Sequence, residues 1–164
     1  LPDVLVKSKR SCLAQMVEAY NNVGGNIIAV DAVPQERVSS YGVIAPDGNA
    51  AKRSDGLIKM TGMVEKPAIA DAPSNLKITG RYILQPEIMG LLSDQEAGAG
   101  GEIQLTDAMA RMMDSQDFHA FEYEGDDYDC GSKAGYFEAV MAYALDHPVI
   151  GDEVRETAQR LLKR

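Results

Sequence analysis

The chain has 164 residues, of which 45% are hydrophobic, and it carries a formal net charge of −9 at pH 7. This length and hydrophobic content allow a packed core of ordinary domain size. An acidic surface repels phosphate backbones and anionic lipids, which argues against polymeric nucleic acid and membranes as partners. The two cysteines, Cys12 and Cys130, form no C-x-x-C pair, and no apolar run reaches transmembrane length. These features predict a reduced, cytoplasmic setting.

The first part of the chain predicts a strand, a helix and a second strand. Residues 1–6 form a short, mainly apolar segment, which is typical of the end of a buried strand. Ser11 is suited to cap the following helix, and Gly24-Gly25 is suited to end it. Residues 26–33 then have the pattern of a buried strand, and this order favours a crossover unit in a parallel sheet. The helix should bury the residues that recur at helical spacing, which are Leu13, Met16, Val17 and Tyr20.

The remaining elements alternate strands with helices. Pro46-Asp47-Gly48 marks a turn between two strands, and the second strand should end at Lys66-Pro67 because proline cannot donate to a ladder. Strands are predicted at 41–45, 57–65, 76–84 and 118–123, and helices from Pro86, at 103–113, at 132–145 with Ser132 as cap, and at 152–164. No linker or repeat divides the sequence, so we expect one α/β domain with a mixed sheet over 1–164.

Two aspartates from opposite ends of the chain, Asp3 and Asp129, are candidate ligands for a divalent cation. Each is expected where an element ends, and polar groups at strand ends of α/β proteins tend to share one cleft. Mg²⁺ typically takes one or two protein carboxylates together with waters and substrate phosphates. The alternative is that each aspartate is an ordinary loop or capping residue, and spacing alone does not decide between the two interpretations.

The Glu65-Lys66 step is a candidate site for an anion and for hydroxyl groups. Adjacent strand residues point to opposite faces, but a bend before Pro67 would let both side chains reach one ligand. A lysine offers a point charge and three donors suited to phosphate, and a glutamate accepts from sugar hydroxyls. The alternative is a solvated ion pair. Gly42 and Gly80 also sit in strand patterns, where glycine marks close approach of a ligand or, alternatively, a bulge or tight packing.

The acidic run formed by Asp126, Asp127 and Asp129 has one further interpretation, a calcium-binding loop. Counted from Asp127, acids stand at positions one, three and twelve, as in an EF-hand. Gly131 and Ser132 stand where an acid or amide and then the turn glycine are expected, and the preceding segment alternates like a strand. We therefore expect no EF-hand. The sequence also contains no P-loop, no G-x-G-x-x-G and no zinc-ligand spacing.

Seven short segments together resemble bacterial UTP–glucose-1-phosphate uridylyltransferases and occur in the same order. Val-Glu-Lys-Pro at 64–67 is shared by many sugar nucleotidyltransferases, whereas the runs Gly-Glu-Ile-Gln-Leu-Thr-Asp-Ala at 101–108 and Tyr-Asp-Cys-Gly at 128–131 are more specific to the uridylyl branch. The resemblance implies the C-terminal part of a Rossmann-like nucleotidyltransferase fold, with a mixed, mainly parallel sheet, flanking helices and a small antiparallel β element. The other segments are Leu-Pro-Asp at 1–3, Tyr-Gly-Val at 41–43, Pro-Ser-Asn-Leu at 73–76 and Gly-Arg-Tyr-Ile-Leu at 80–84.

The resemblance also implies roles for the candidate residues. Asp3, as the acid that closes the central strand, and Asp129 would hold Mg²⁺. Lys66 would pair with the sugar-linked phosphate as the catalytic lysine. Glu65 would bind glucose hydroxyls, and Gly42 would present its backbone N–H to the sugar.

Further implications concern the rest of the pocket and the nucleotide. The Ile78-Thr79 backbone would line the sugar pocket, and Glu102 would support it. Asp126-Asp127 stands where relatives commonly place a lysine or arginine, which weakens phosphate attraction at that loop. The family's N-terminal segment carries a Gly-rich loop that grips UTP, and nothing in these residues supplies it. Since the chain also begins inside a predicted strand, we expect a nucleotide-binding segment to be missing.

The implied activity is the formation of UDP-glucose and pyrophosphate from UTP and glucose 1-phosphate, in a family whose members are often homo-oligomers. The present chain would then be inactive by itself. Two alternatives stay open at this stage. One is another sugar-1-phosphate nucleotidyltransferase, which would make a dTDP-, ADP- or GDP-sugar. The other is a non-catalytic module that binds a sugar phosphate or mediates assembly.

Overall fold

The computed structural model describes residues 3–48, 55–94 and 103–163. The chain forms two compact units: the larger is Lys9–Glu124, and the smaller joins Leu1–Ser8 to Gly125–Arg164. The sequence shows no linker at this division, because the smaller unit is assembled from the two ends of the chain. The expectation that 1–164 forms one domain stays a prediction.

The described ranges contain an α/β arrangement of strands and helices, and no helix in them is long and apolar enough to cross a bilayer. The strands are β1 (Val4–Lys7), β2 (Asn26–Ala32), β3 (Gly42–Pro46), β4 (Leu57–Glu65), β5 (Leu76–Ile83), β6 (Phe118–Glu122) and β7 (Asp126–Asp129). The α-helices are α1 (Cys12–Val23), α2 (Glu87–Ser93), α3 (Leu105–Met112), α4 (Lys133–Leu145) and α5 (Gly151–Leu162), and 3₁₀ turns cover Gln35–Ser40 and Ile69–Asp71.

The larger unit is built on five strands that close into a barrel in the order β2-β5-β3-β4-β6. Strand β2 runs parallel to β6, and the other neighbours in this barrel are antiparallel. The mixed sheet is confirmed, but the expectation that it is mainly parallel is wrong for the described strands. The crossover unit is also wrong, because β1 and β2 lie in different sheets. Period-two patterning indicates which face of a strand is buried, not which strand is its neighbour.

Helix ends were predictable from single residues. The Ser11 hydroxyl accepts a hydrogen bond from the Ala14 N–H at the start of α1, and Gly24 ends this helix with φ 67°. Ser132 caps α4 in the same way, by accepting from the Gly135 N–H at 3.0 Å. A serine oxygen replaces the missing intrahelical acceptor of the first turn, so these predictions depend only on local chemistry.

The inner face of α1 differs from the prediction. Leu13 and Val17, expected inside, are 54% and 44% exposed, whereas Met16 is buried as expected. Gln15 takes an inner position because its side-chain amide donates to the Glu124 carbonyl and accepts from the Glu124 N–H. A buried amide with these partners is favourable, and the partners come from a distant segment that helical spacing cannot reveal. The buried face consists of Cys12, Gln15, Met16 and Ala19.

The main core of the larger unit lies between the barrel and helices α2 and α3. Met109 and Met112 of α3 are buried, so this methionine-rich helix is part of the core. Strand residues from the barrel supply the opposite side, among them Ile28, Ile44 and Ile58. This packing fixes the barrel wall from which the candidate residues at the ends of β3 and β4 project.

The smaller unit pairs β1 with β7 in an antiparallel ladder. The acidic run 126–129 is therefore a strand, which is incompatible with a calcium-binding loop. Aspartate is unfavourable in strands, but side-chain contacts favour this one: the rings of Tyr128 and Tyr143 meet edge to face at 6.2 Å. The Lys7 ammonium donates to the Asp146 carboxylate after α4, which raises the pKa of Lys7 and lowers that of Asp146. These contacts hold the ladder against α4.

Candidate functional site

The two candidate acids of the smaller unit are neighbours. Asp3 lies in a turn directly before β1, and Asp129 ends β7 opposite Val4. The Asp3 carbonyl accepts a hydrogen bond from the Cys130 N–H at 2.7 Å, which extends the ladder by one step. Asp3 was expected to close a central strand, and this position stays a prediction, because residues 1–2 lie outside the described residues.

Gly131 lies between the two carboxylates. A Cβ added to this glycine would stand 3.0 Å from Asp129 Oδ1 and 3.3 Å from Asp3 Oδ2, so both carboxylates face the same small space. The Gly131 N–H donates to Asp129 Oδ1 at 2.9 Å and orients that carboxylate. At the start of α4, Gly135 passes so close to the Asp129 carbonyl that no side chain would fit. The glycines at 131 and 135 therefore leave room for the carboxylate and the carbonyl of Asp129.

The donor set of this acid pair suits a hard cation. Both groups are exposed carboxylates, and the described residues contain no cluster of three or more His, Cys, Asp or Glu side chains arranged for a metal. Two carboxylates beside open space match Mg²⁺, which keeps several waters and binds phosphate oxygens at its remaining positions. They do not match zinc, which prefers a tetrahedral set of nitrogen and sulfur ligands. The residues present are thus compatible with Mg²⁺.

A second group of candidates lies in the larger unit, where β3 begins and β4 ends. Gly42 and Glu65 are direct cross-strand partners. A Cβ on Gly42 would lie 2.8 Å from Glu65 Oε2 and 3.5 Å from Ile78 Cδ1. The Glu65 carboxylate therefore lies over the glycine, in space that any other residue at position 42 would fill. The neighbours of Gly42 are thus side chains of the same unit, and the close approach of a ligand to this glycine stays a prediction.

Lys66 turns away from the strand at the predicted place. Its backbone is left-handed, with φ 47°, and its N–H donates to the Tyr41 carbonyl at 3.1 Å. The Lys66 ammonium lies 4.0 Å from Glu65 Oε1, and both side chains are more than half exposed. The bend thus brings two neighbouring side chains to one side, as expected for a shared ligand. Together they offer an acceptor for hydroxyls and a cation for an anion.

The other predicted pocket residues separate into three cases. Ile78 contacts the space beside Gly42, as described. The Thr79 side chain is buried, and its hydroxyl lies 3.3 Å from the Tyr123 hydroxyl, so only the Thr79 backbone is available for the pocket role. Glu102 lies outside the described residues. Gly80, with φ 75°, faces the register shift between β2 and β5, which favours the bulge interpretation for this glycine.

Two residues near this site, Tyr82 and Lys77, were given no role from the sequence. Burial, and after it the negative charge of Glu65, raises the pKa of the Tyr82 hydroxyl. Lys77 is buried, and its ammonium lies 5.2 Å from the centroid of the Tyr41 ring. A lysine at the second position of a predicted strand was a visible signal, because charged residues are seldom fully buried without a partner.

The structure thus brings the candidates together in two sets. The acid pair Asp3 and Asp129 belongs to the smaller unit, and the set formed by Gly42, Glu65 and Lys66 belongs to the larger unit. We call the second set the strand-end site. That both sets serve one cleft, as expected from the sequence, stays a prediction.

Comparison with known proteins places these residues in a family context. Residues 3–145 match the family described as Nucleotidyl transferase. A relative from Komagataeibacter xylinus, named UTP–glucose-1-phosphate uridylyltransferase, is 47% identical over 133 residues, which cover 81% of this chain and 45% of the relative. A Streptococcus pyogenes serotype M1 relative, named UTP–glucose-1-phosphate uridylyltransferase 1, is 44% identical over 163 residues, or 99% of this chain and 53% of the relative.

Solved structures give the same picture of the fold. A UTP-bound UGPase from Acinetobacter baumannii matches with a TM-score of 0.87 at 40% identity, over 98% of this chain and 55% of that one. A UDP-glucose pyrophosphorylase complexed with UDP-glucose matches with a TM-score of 0.77 at 41% identity, over 87% of this chain and 53% of that one. The expected nucleotidyltransferase fold is thereby confirmed. The chain spans about half the length of the relatives it matches.

Proposed function

Because this chain belongs to the nucleotidyl transferase family, we propose that it carries the sugar-phosphate side of a UTP–glucose-1-phosphate uridylyltransferase, which forms UDP-glucose and pyrophosphate. The observation that carries the proposal is the strand-end site, where the Glu65 carboxylate lies over Gly42 and near the Lys66 ammonium, so that an acceptor and a cation stand together. The relatives named for this activity, one of them solved with UDP-glucose, support the choice of substrates.

Each residue of the strand-end site has a distinct task in this proposal. The Lys66 ammonium is a compact point charge with three donors, and it binds the phosphate of glucose 1-phosphate. The Glu65 carboxylate accepts hydrogen bonds from glucose hydroxyls. Gly42, which has no Cβ, lets the sugar ring approach the backbone of β3 beside that carboxylate. The pocket wall formed by Ile78 gives the apolar face of the sugar ring a surface to pack on.

We also propose that Asp3 and Asp129 hold Mg²⁺ in the space beside Gly131. The bound ion would supply charge neutralisation and orientation for phosphate oxygens, which is its usual contribution to phosphoryl transfer. Asp3 and Asp129 provide two carboxylate oxygens, and the Gly131 N–H keeps the Asp129 carboxylate turned toward the site. The support for this proposal is the shared space between the two carboxylates.

The proposed chemistry needs positioning rather than a general base. An oxygen of the sugar phosphate attacks the α-phosphorus of UTP in line, a new P–O bond forms, and the bond to pyrophosphate breaks. The attacking oxygen is already ionised at neutral pH, so no side chain has to remove a proton. The cost that the protein must offset is the repulsion of two anions, and Lys66 does so with a fixed positive charge at the phosphate.

The test is turnover of the native-length protein with glucose 1-phosphate and each of UTP, dTTP, ATP and GTP, followed by pyrophosphate release. UDP-glucose formation with a strong preference for UTP supports the proposal. Preference for another nucleotide would instead identify a different sugar nucleotidyltransferase. Binding of glucose 1-phosphate without turnover of any nucleotide would indicate a non-catalytic module.

The substitution Glu65→Gln sharpens this assay. It should raise the KM for glucose 1-phosphate more than the KM for UTP, because the amide loses acceptor capacity toward sugar hydroxyls. Glu87→Gln, at an exposed position in the first turn of α2, is the matched control. Equal changes in both KM values would count against sugar binding by Glu65.

A cytoplasmic location and a homo-oligomeric state belong to the same proposal. Cell fractionation would test the location, and sedimentation would test the oligomeric state.

A further inference from the structure

The backbone of Lys66 is held in an unfavourable conformation. It is the one non-glycine residue with positive φ in the described part of the chain. A residue with a Cβ seldom adopts this conformation unless its surroundings enforce it. At this bend the Lys66 N–H donates a hydrogen bond to the Tyr41 carbonyl. Tyr41 also directly precedes Gly42, so its main chain borders both parts of the strand-end site.

The ring of Tyr41 lies on the opposite face of β3 from the strand-end site. Along a strand, Tyr41 and Val43 share one face and Gly42 the other. The Tyr41 ring packs in a small cluster with Val33, Val38 and Val43. The side chain of Tyr41 is thus anchored away from any ligand, while its carbonyl faces Lys66.

Two cations fix this ring. The Lys77 ammonium lies 5.2 Å from the ring centroid, and the Arg37 guanidinium carbon lies 5.7 Å from it. Arg37 Nη2 also donates to the Tyr41 hydroxyl at 2.7 Å. Both distances lie within the range in which a cation is attracted to an aromatic face. Arg37 is exposed, however, whereas the Lys77 side chain is only 10% exposed.

The burial of Lys77 requires an explanation. Of the buried polar residues in the described ranges, Lys77 is the one that carries a charge. Its ammonium lies 3.9 Å from Asp31 Oδ2 on the neighbouring strand, which offsets part of the cost of burying it. In the proposed reaction Lys77 has no role as a ligand, since it projects from the other face of β5 from Ile78.

We propose that Lys77 and Tyr41 form a brace behind the sheet that positions the backbone of Lys66 for the sugar phosphate. The buried ammonium, held by Asp31, fixes the ring of Tyr41. The fixed tyrosine keeps its carbonyl in place, and the carbonyl holds the Lys66 N–H. Lys77 is therefore a positioning residue, which acts through Tyr41 and not on the substrate. The ligand named in this proposal rests on the proposed function, but the effect on the Lys66 backbone does not.

The hydrogen-exchange rate of the Lys66 amide measures directly whether the brace holds this backbone in place. The substitution Lys77→Met keeps the length of the side chain and removes its charge. We expect exchange at Lys66 to become about tenfold faster, the effect of one lost cation–π contact, while exchange at Ile28 in the core stays unchanged. Lys77→Arg should restore most of the protection, and Lys59→Met, a lysine loss on β4, should leave Lys66 unchanged. Unchanged exchange at Lys66 in Lys77→Met, or an equal increase at Ile28, would overturn the proposal.

If Lys77→Met fails to fold, an NMR measurement on the wild-type chain can still test the brace. If the ammonium lies over the Tyr41 ring, the ring current should shift the ε-methylene protons of Lys77 upfield in the NMR spectrum. Ordinary random-coil shifts for these protons would exclude the brace. Tyr41→Phe should retain this shift, because it keeps the ring and removes only the hydrogen bond from Arg37.

Titration with glucose 1-phosphate then separates the brace from the proposed function. In Lys77→Met we expect the dissociation constant to rise about tenfold, with recovery in Lys77→Arg. Wild-type affinity in Lys77→Met despite faster Lys66 exchange would overturn the positioning role. Absence of binding in the wild type would instead remove the proposed ligand, while the exchange data still decide whether Lys77 holds the backbone.

Discussion

The acid pair and the strand-end site are assembled in different ways. The acid pair joins the two ends of the chain, and its geometry depends on a two-stranded ladder and on backbone bonds at Cys130 and Gly131. The strand-end site lies on adjacent strands of a closed barrel, where Gly42 and Glu65 are cross-strand partners. The first set is part of a two-stranded ladder, whereas the second is part of the barrel wall.

This difference indicates a division of work. Exposed carboxylates on a short ladder suit an ion that completes its own shell with water and phosphate, since such a site tolerates small movements. A strained lysine beside a glutamate suits a ligand whose shape must be recognised, because strain persists only where the surroundings fix it. We therefore expect substitutions in the two regions to have separable effects: on metal dependence in one, and on the sugar phosphate in the other.

The largest effect is expected from Lys66→Ala in the native-length protein. Loss of the ammonium should cost about 2.7–4 kcal/mol of transition-state stabilisation, similar to the loss of one oxyanion donor. Turnover should fall accordingly, while the midpoint of thermal unfolding changes little, because the Lys66 side chain is exposed. Lys59→Ala, at an exposed lysine on β4, is the control. Unchanged turnover in Lys66→Ala would remove the catalytic role of this lysine.

A smaller loss of a different kind is expected from Asp3→Asn. An amide oxygen binds Mg²⁺ more weakly than a carboxylate, so activity should require a higher Mg²⁺ concentration or be lost. The KM for glucose 1-phosphate at saturating Mg²⁺ should not change. Asp126→Asn, an exposed acid at the far end of β7, should behave as the wild type. If Asp3→Asn retained both its activity and its metal dependence, Asp3 would not be a ligand.

The two glycines allow a paired test of the comparison. In Gly42→Ala the new Cβ would displace the Glu65 carboxylate, and in Gly131→Ala it would crowd both acids of the pair. We expect about a tenfold loss of glucose 1-phosphate affinity in the first, comparable to one hydrogen bond to a charged group, and weaker Mg²⁺ activation in the second. Gly62→Ala on β4 meets only an ordinary contact and serves as control. The same defect in both variants would contradict separable roles for the two sets.

The smallest effect concerns a surface pair that belongs to neither region. The Lys59 ammonium, 3.0 Å from Asp117 Oδ1, donates to this carboxylate and lowers its pKa from the ordinary value of 3.8. The stabilisation that this ion pair contributes is therefore fully present above pH 3.8. It is lost as the pH falls through the lowered pKa of Asp117 in the folded protein. Lys59→Met should return the pKa of Asp117 toward its ordinary value, which an NMR titration would measure. Altered sugar-phosphate or metal binding in this variant would show that the acid pair or the strand-end site depends on this surface ion pair.

Local chemistry accounts for the parts of the fold that could be predicted. Strand β4 was predicted at its observed bounds because its alternation ends at a proline, and Ser11 and Ser132 were identified as caps. The strand-end site was predictable for the same reason, since the bend at Lys66 lies next to Pro67. Each of these depends on a few adjacent residues.

The parts that could not be predicted depend on distant partners. Gln15 replaces Leu13 on the inner face of α1 because of bonds to Glu124. The aspartates of β7 form a strand because β1 pairs with them, although aspartate is intrinsically unfavourable in strands. The brace formed by Lys77 and Tyr41 joins two strands in the same way. A resemblance to known sequences supplied the roles of Asp3 and Asp129, which spacing alone left open.

The most direct test is calorimetric titration of glucose 1-phosphate into this chain, with Mg²⁺ and with a chelator, for the wild type, Lys66→Ala and Asp3→Asn. If the strand-end site recognises the sugar phosphate without the acid pair, the wild type and Asp3→Asn bind equally in chelator, and Lys66→Ala does not bind. Wild-type affinity in Lys66→Ala, or loss of binding in Asp3→Asn under chelation, would contradict the division of work between the two regions.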